Sequence, residues 1–157
     1  METATRPYAF SRKVFCEGMR DGVPIALGYF AVSFSLGIAA RKAGLTPVQG
    51  FFASLLNNAS AGEYAAFALI ASGATYLEVA IITLIANARY LLMSCALAQR
   101  FAPGTPFFHR LIIGYDVTDE LFGITIARPG WLNPFYTYGA IALAAPPWAA
   151  GTACGII

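Results

Sequence analysis

Five apolar stretches, each close to the length that crosses a lipid bilayer, account for most of this chain. A hydrocarbon core of about 30 Å is spanned by about 20 helical residues. The stretches are Gly22–Ala40, Val48–Ser72, Tyr76–Ala98, Leu111–Ala127 and Asn133–Ile157. The second is interrupted by Asn57–Glu63, the third carries Glu78, Asn87 and Arg89, and the fifth contains Pro146-Pro147. This pattern predicts an all-α integral membrane protein, a polytopic bundle of about five hydrophobic segments with broken helices at 57–63 and 146–147.

Composition narrows the reading further. Of 157 residues, 58% are hydrophobic and 11% charged, whereas a soluble domain carries about 25% charged residues. The net charge of +2 is small and dispersed, with no Lys/Arg run to meet a nucleic-acid backbone. Cys16, Cys95 and Cys154 are odd in number and far apart, which suits neither a disulfide framework nor a metal site. His109 is the only histidine, so no metal centre or cofactor is expected. No nucleophile stands with a base in a catalytic pattern, so the chain does not read as an enzyme.

Gly22–Ala40 exceeds the 7–15 apolar residues of a signal-peptide core, and Arg20-Asp21 and Arg41-Lys42 flank it as they would a retained span. Residues 1–21 read as a juxtamembrane segment in which Arg6, Arg12, Lys13 and Arg20 alternate with aromatic and aliphatic residues. The rest, 22–157, reads as one transmembrane domain. If Val48–Ser72 crosses fully, the basic residues split five to four in favour of the N-terminal side; if it dips in and returns, six to three. Either way the positive-inside rule places the N-terminus in the cytoplasm of a cell whose inner (plasma) membrane holds the chain.

Polar groups retained at membrane depth mark the expected function, since a central charge costs about 3 kcal/mol on insertion scales. At Asn57–Glu63, a freed half-helix N-terminus would point N–H groups and a positive dipole end at an anionic ligand such as an amino-acid carboxylate. Ser60 and Glu63 are spaced as a capping box opening the helix Tyr64–Ser72. Glu63 then either satisfies backbone donors or pairs with a substrate ammonium, a proton or Arg89.

Arg89 falls near the middle of Tyr76–Ala98. On a continuous helix Glu78 shares its face about 16 Å away, so Arg89 requires a counter-charge from another helix. It serves as a structural ion pair or as a substrate or gating partner. Asn87 points to the opposite face and is suited to bonding another helix.

Asp116, Asp119 and Glu120 have spacings that place all three on one side of the fourth segment, with Asp119 at its midpoint. Crowded carboxylates of this kind suit proton coupling; the alternative is that the segment is a loop and the acids face water. Gly28, Ser33 and Gly37 read as small packing residues, and Trp131, Phe135, Tyr136 and Tyr138 as an interfacial belt.

Several of these residues, in order, resemble the AzlC-type permeases, the large subunit of a branched-chain amino-acid exporter. Phe15-x-x-Gly18-x-x-Asp21-x-x-Pro24 with Gly28 resembles the family's approach to its first helix, and Ala43-Gly44-Leu45-Thr46 its first loop. Asn58-Ala59-Ser60-Ala61-Gly62-Glu63-Tyr64 resembles its small-residue break. Asn87-Ala88-Arg89-Tyr90-Leu91-Leu92-Met93 resembles its Asn-x-Arg segment, and Thr118-Asp119-Glu120 its Thr-Asp-Glu motif. The resemblance implies proton-driven export of branched-chain or similar apolar amino acids, with a small AzlD-type membrane subunit as partner. It places Asn58, Ser60, Gly62, Glu63, Asn87 and Arg89 at the substrate, and Asp116, Asp119 and Glu120 on the proton path. Family members commonly carry Gln where Glu63 stands, and they are longer, so this chain covers roughly their first two-thirds. The competing readings are a non-transporting assembly subunit, whose buried charges are structural, and a passive channel. Association with further copies of the chain is left open.

Overall fold

The computed structural model describes residues 8–157, which divide into two compact units. The first joins the described residues through Val23 to Tyr90–Leu143; the second joins Pro24–Arg89 to Ala144–Ile157. Eight helices are present among the described residues, and the only strand-like feature there is a bridge between Phe101 and Leu132.

Among the described residues, two helices are long and apolar enough to cross a membrane: α1 (Arg12–Lys42) and α8 (Pro134–Ile156). At 1.5 Å per residue they extend about 46 Å and about 35 Å. A third span exists if α4 (Tyr76–Ala86) and α5 (Ala88–Ala98), bent by 44° at Asn87, are taken as one. Two or three candidate spans thus stand where about five hydrophobic segments are expected. The third is broken at Asn87, and the fourth is two short helices, α6 (Phe107–Tyr115) and α7 (Asp119–Ile126), separated by 116–118.

The expected break at Pro146-Pro147 is absent, since α8 remains helical through both prolines. Proline removes a backbone donor and crowds the preceding turn, but membrane helices accommodate this where neighbours re-satisfy the freed carbonyls. The break at 57–63 is real but shorter than expected: α2 (Pro47–Leu56) stops at Asn57 and α3 (Ser60–Ala71) resumes at Ser60.

In the second unit, α1 and α8 lie backbone to backbone because glycines face each other. A Cβ on Gly155 would overlap the Phe34 carbonyl, and one on Gly37 the Thr152 carbonyl. Gly28, expected to pack in the same way, has open space around its Cα. Thr46 caps α2 through a capping box with Gln49, with Pro47 in the first turn. A four-residue turn carrying Gly73 at φ +75° folds α3 back onto α4. The Ala74 N–H bonds to the Leu69 carbonyl across this left-handed residue.

In the first unit, Leu97, Phe101, Ile113, Val117 and Leu132 form the core. Arg100 donates to the carbonyls of Ile126, Arg128 and Gly130 at and beyond the end of α7, where the helix leaves carbonyls unpaired. Arg110 does the same for Ala98 at the end of α5. Arg128 bonds Glu17 at 2.9 Å and lies over the Tyr136 ring, whose hydroxyl donates to Asp21.

Candidate functional site

Several polar groups of the second unit, Ser54, Asn57, Glu63 and Asn87 among them, lie around the break between α2 and α3. Ala59 caps α3 with no side-chain hydrogen bond, so the predicted capping box of Ser60 and Glu63 does not form. Glu63 instead turns inward and is 1% exposed. Its Oε1 meets the hydroxyls of Ser54 and, at 3.3 Å, Thr152, and its Oε2 accepts from the Trp148 indole N–H at 3.0 Å. These donors stand on α2 and α8, so Glu63 joins three helices. A buried carboxylate is tolerated only with such hydrogen bonds or a neutralising charge.

Asn57 and Asn87 are the C-caps of α2 and α4. The Asn87 Nδ2 donates to the Asn57 Oδ1 at 3.1 Å, and the Asn87 amide lies against the Cα of Gly62. The expectation that Asn87 bonds another helix is met here, at a second helix break rather than on a continuous helix. Beside the two breaks is a cavity of about 640 Å³, within the ~300–1,000 Å³ typical of small-molecule sites. Its wall is mostly apolar, from Leu56, Phe67, Ile70 and Val79 among others. Asn57, Glu63, Thr83 and Asn87 supply the polar positions. Among the described residues, Thr83 Oγ1 and Asn87 Oδ1 are buried with no hydrogen-bond partner.

Of the substrate residues expected from sequence, Glu63 and Asn87 line this cavity, and Gly62 packs against Asn87. Asn58 lies within the break, and Ser60 opens α3. Arg89 is exposed in the first turn of α5, just past the bend. That bend removes the face it was expected to share with Glu78. Glu78 is occupied locally, accepting from the Thr75 N–H at 2.7 Å in a capping box.

Asp116, Asp119 and Glu120 belong to the first unit. They do not line one face of one helix. Asp116 is the buried C-cap of α6, while Asp119 and Glu120 are exposed in the first turn of α7. Thr118 caps that helix by accepting from the Leu121 N–H, and acids there favour the N-terminal dipole.

Sequence reasoning did not single out Ser54, Thr83, Trp148 and Thr152. The only signal they carry is polarity inside apolar stretches, which for a hydroxyl is weak because it can bond its own helix backbone.

A family model described as AzlC protein matches residues 24–157. Among curated proteins, the chain is 27% identical over 128 residues to "Inner membrane protein YgaZ" of Escherichia coli (strain K12), covering 82% of this chain and 52% of that protein. It is 28% identical over 144 residues to an "Uncharacterized membrane protein" of Archaeoglobus fulgidus, covering 92% of this chain and 62% of that one. A Helicobacter pylori (strain 26695) membrane protein is 25% identical over 112 residues, 71% of this chain and 48% of its own length. The chain thus spans about half to three-fifths of the length of the curated relatives it matches. No solved structure matches it.

Proposed function

The chain belongs to the AzlC family of permease-type membrane proteins, and from that premise we propose that it is a transporter subunit exporting branched-chain or similar apolar amino acids. The observation that carries this reading is the cavity beside the paired breaks, apolar along its wall and polar where Asn57, Glu63, Thr83 and Asn87 meet it. An aliphatic side chain suits the apolar wall. The ammonium and carboxylate suit the polar end, where Thr83 Oγ1 and Asn87 Oδ1 lack partners among the described residues. Discontinuous helices serve this purpose in secondary transporters because their ends present uncompensated backbone groups without a full charge. Asn58, Ser60, Gly62 and Arg89 flank the breaks and complete the proposed substrate region.

Export is driven by the proton gradient in this reading, with Asp116, Asp119 and Glu120 at the α6–α7 break as carriers. The protein resides in the inner (plasma) membrane with its N-terminus in the cytoplasm, and a small AzlD-type subunit is its partner. The test is thermal stability of the purified protein with a panel of amino acids. Leucine, isoleucine and valine are expected to raise the unfolding temperature, while aspartate and lysine leave it unchanged. A panel with no apolar amino acid active, or with charged ones equally active, contradicts the reading.

A further inference from the structure

Glu63, Ser54, Thr152 and Ser33 are each 1% exposed or less, and the contacts among them do not balance around an ionised carboxylate. The Thr152 hydroxyl lies 3.3 Å from both the Ser33 carbonyl oxygen and Glu63 Oε1. A hydroxyl has one proton to donate, so with Glu63 ionised Thr152 satisfies one of these acceptors and leaves the other. Oε1 also faces the Ser54 hydroxyl, while Oε2 faces the Trp148 indole, which can only donate. A proton on Oε1 resolves the whole set. Ser54 then donates to Oε1, Oε1–H donates to Thr152, Thr152 donates to the Ser33 carbonyl, and Trp148 donates to Oε2.

We propose that Glu63 holds an exchangeable proton on Oε1, and that its release switches the Thr152 hydroxyl from the Ser33 carbonyl to the carboxylate. In the first state α8 is bonded to α1 through Thr152 and Ser33. In the second that bond is gone, and Thr152 joins Trp148 in donating to Glu63 on α3. One proton thereby makes or breaks the Thr152–Ser33 bond between α8 and α1, beside the cavity wall to which Glu63 contributes. The hydrogen-bond partners of the carboxylate are uncharged: α2 brings Ser54, and α8 brings Trp148 and Thr152. From α1 the facing titratable group is Tyr29, whose ring meets Trp148 edge-on at 5.1 Å. From α4, Tyr76 contributes to the same cavity wall, and Glu78 is held in its own helix cap. Glu63 so neutralised avoids the cost of an unpaired buried charge.

That this proton is coupled to amino-acid movement rests on the transporter reading; the proton site itself does not. Its test is the emission of Trp148 in the purified chain carrying Trp131→Phe, which leaves one indole. The expected result is a single-proton transition with pH that disappears when Glu63→Gln is added, with emission fixed at its protonated-state value. Thr152→Val, which deletes the switching hydroxyl, is expected to displace the transition. An absent transition in Trp131→Phe, or the same curve in Trp131→Phe/Glu63→Gln, overturns the proposal. Should Glu63→Gln not fold, an unmoved curve in Trp131→Phe/Thr152→Val overturns it instead. Amino-acid stabilisation of the same sample reads the transporter proposal separately, so a transition without stabilisation upholds the proton site and removes only the coupling.

Discussion

Asn87 donates to Asn57 over 3.1 Å, and this one bond ties the end of α4 to the end of α2 where both helices stop. Each asparagine is the C-cap of its helix, so side chains join two breaks that lie thirty residues apart in sequence. Asn87→Ala is expected to leave a part-buried Asn57 acceptor unpaired and to lower stability by about 1–3 kcal/mol. Thermal unfolding in detergent measures this, and an unchanged transition would show that the bond does not hold the breaks together.

Gly62 permits that arrangement, because an added Cβ would overlap the Asn87 amide. Gly62→Ala is therefore expected to cost about 1–3 kcal/mol as overpacking. The obstacle is a side chain, so the double variant Gly62→Ala/Asn87→Ala is expected to lose less than the sum of the two single variants. Strict additivity in a double-mutant cycle would place the Gly62 clash elsewhere.

Three of the five stretches that carry the family resemblance coincide with helix breaks: α3 begins at Ser60, α5 at Ala88 just after Asn87, and α7 at Asp119 just after Thr118. Membrane character and the first break were legible because a run of polar residues inside an apolar stretch is costly at membrane depth unless it lines a cavity or ends a helix. The bend at Asn87 and the break at 116–118 were not, since a single asparagine or aspartate is compatible with a continuous helix. Local patterns also misled at Glu63. Thr46/Gln49, Ser60/Glu63 and Thr75/Glu78 share the capping-box spacing, yet only the first and third form it. Glu63 finds better partners in Trp148 and Thr152, 85 and 89 residues away, and no local spacing reports a contact so distant. Pro146-Pro147 failed as a break signal for the converse reason, that tertiary context overrode a strong local preference.

Gly155 and Gly28 make opposite predictions although both sit in long helices. A Cβ on Gly155 meets the Phe34 backbone, which cannot rotate away, whereas one on Gly28 meets nothing within 4 Å. Gly155→Ala is expected to destabilise by at least ~1–3 kcal/mol. Gly28→Ala is expected to be neutral or to stabilise by up to about 1 kcal/mol through helix propensity. Equal unfolding temperatures for the two variants would contradict the close α1–α8 packing.

The Thr75–Glu78 cap separates structural from functional carboxylates. Thr75→Ala removes the acceptor for the Glu78 N–H and is expected to cost about 1 kcal/mol. Amino-acid stabilisation should persist in this variant, because Glu78 serves the start of α4. Loss of ligand response at unchanged stability would move Glu78 into the site.

Efflux of leucine and valine from loaded proteoliposomes containing the purified protein, with and without the small partner subunit and an imposed pH gradient, tests transport directly. The expected result is efflux that accelerates with the gradient, falls at least about tenfold in Asp119→Asn, a loss of roughly 1.4 kcal/mol or more, and is lost in Arg89→Ala. Efflux indifferent to the gradient and equal in all three proteins, or no efflux above protein-free vesicles, would contradict a proton-driven exporter of apolar amino acids.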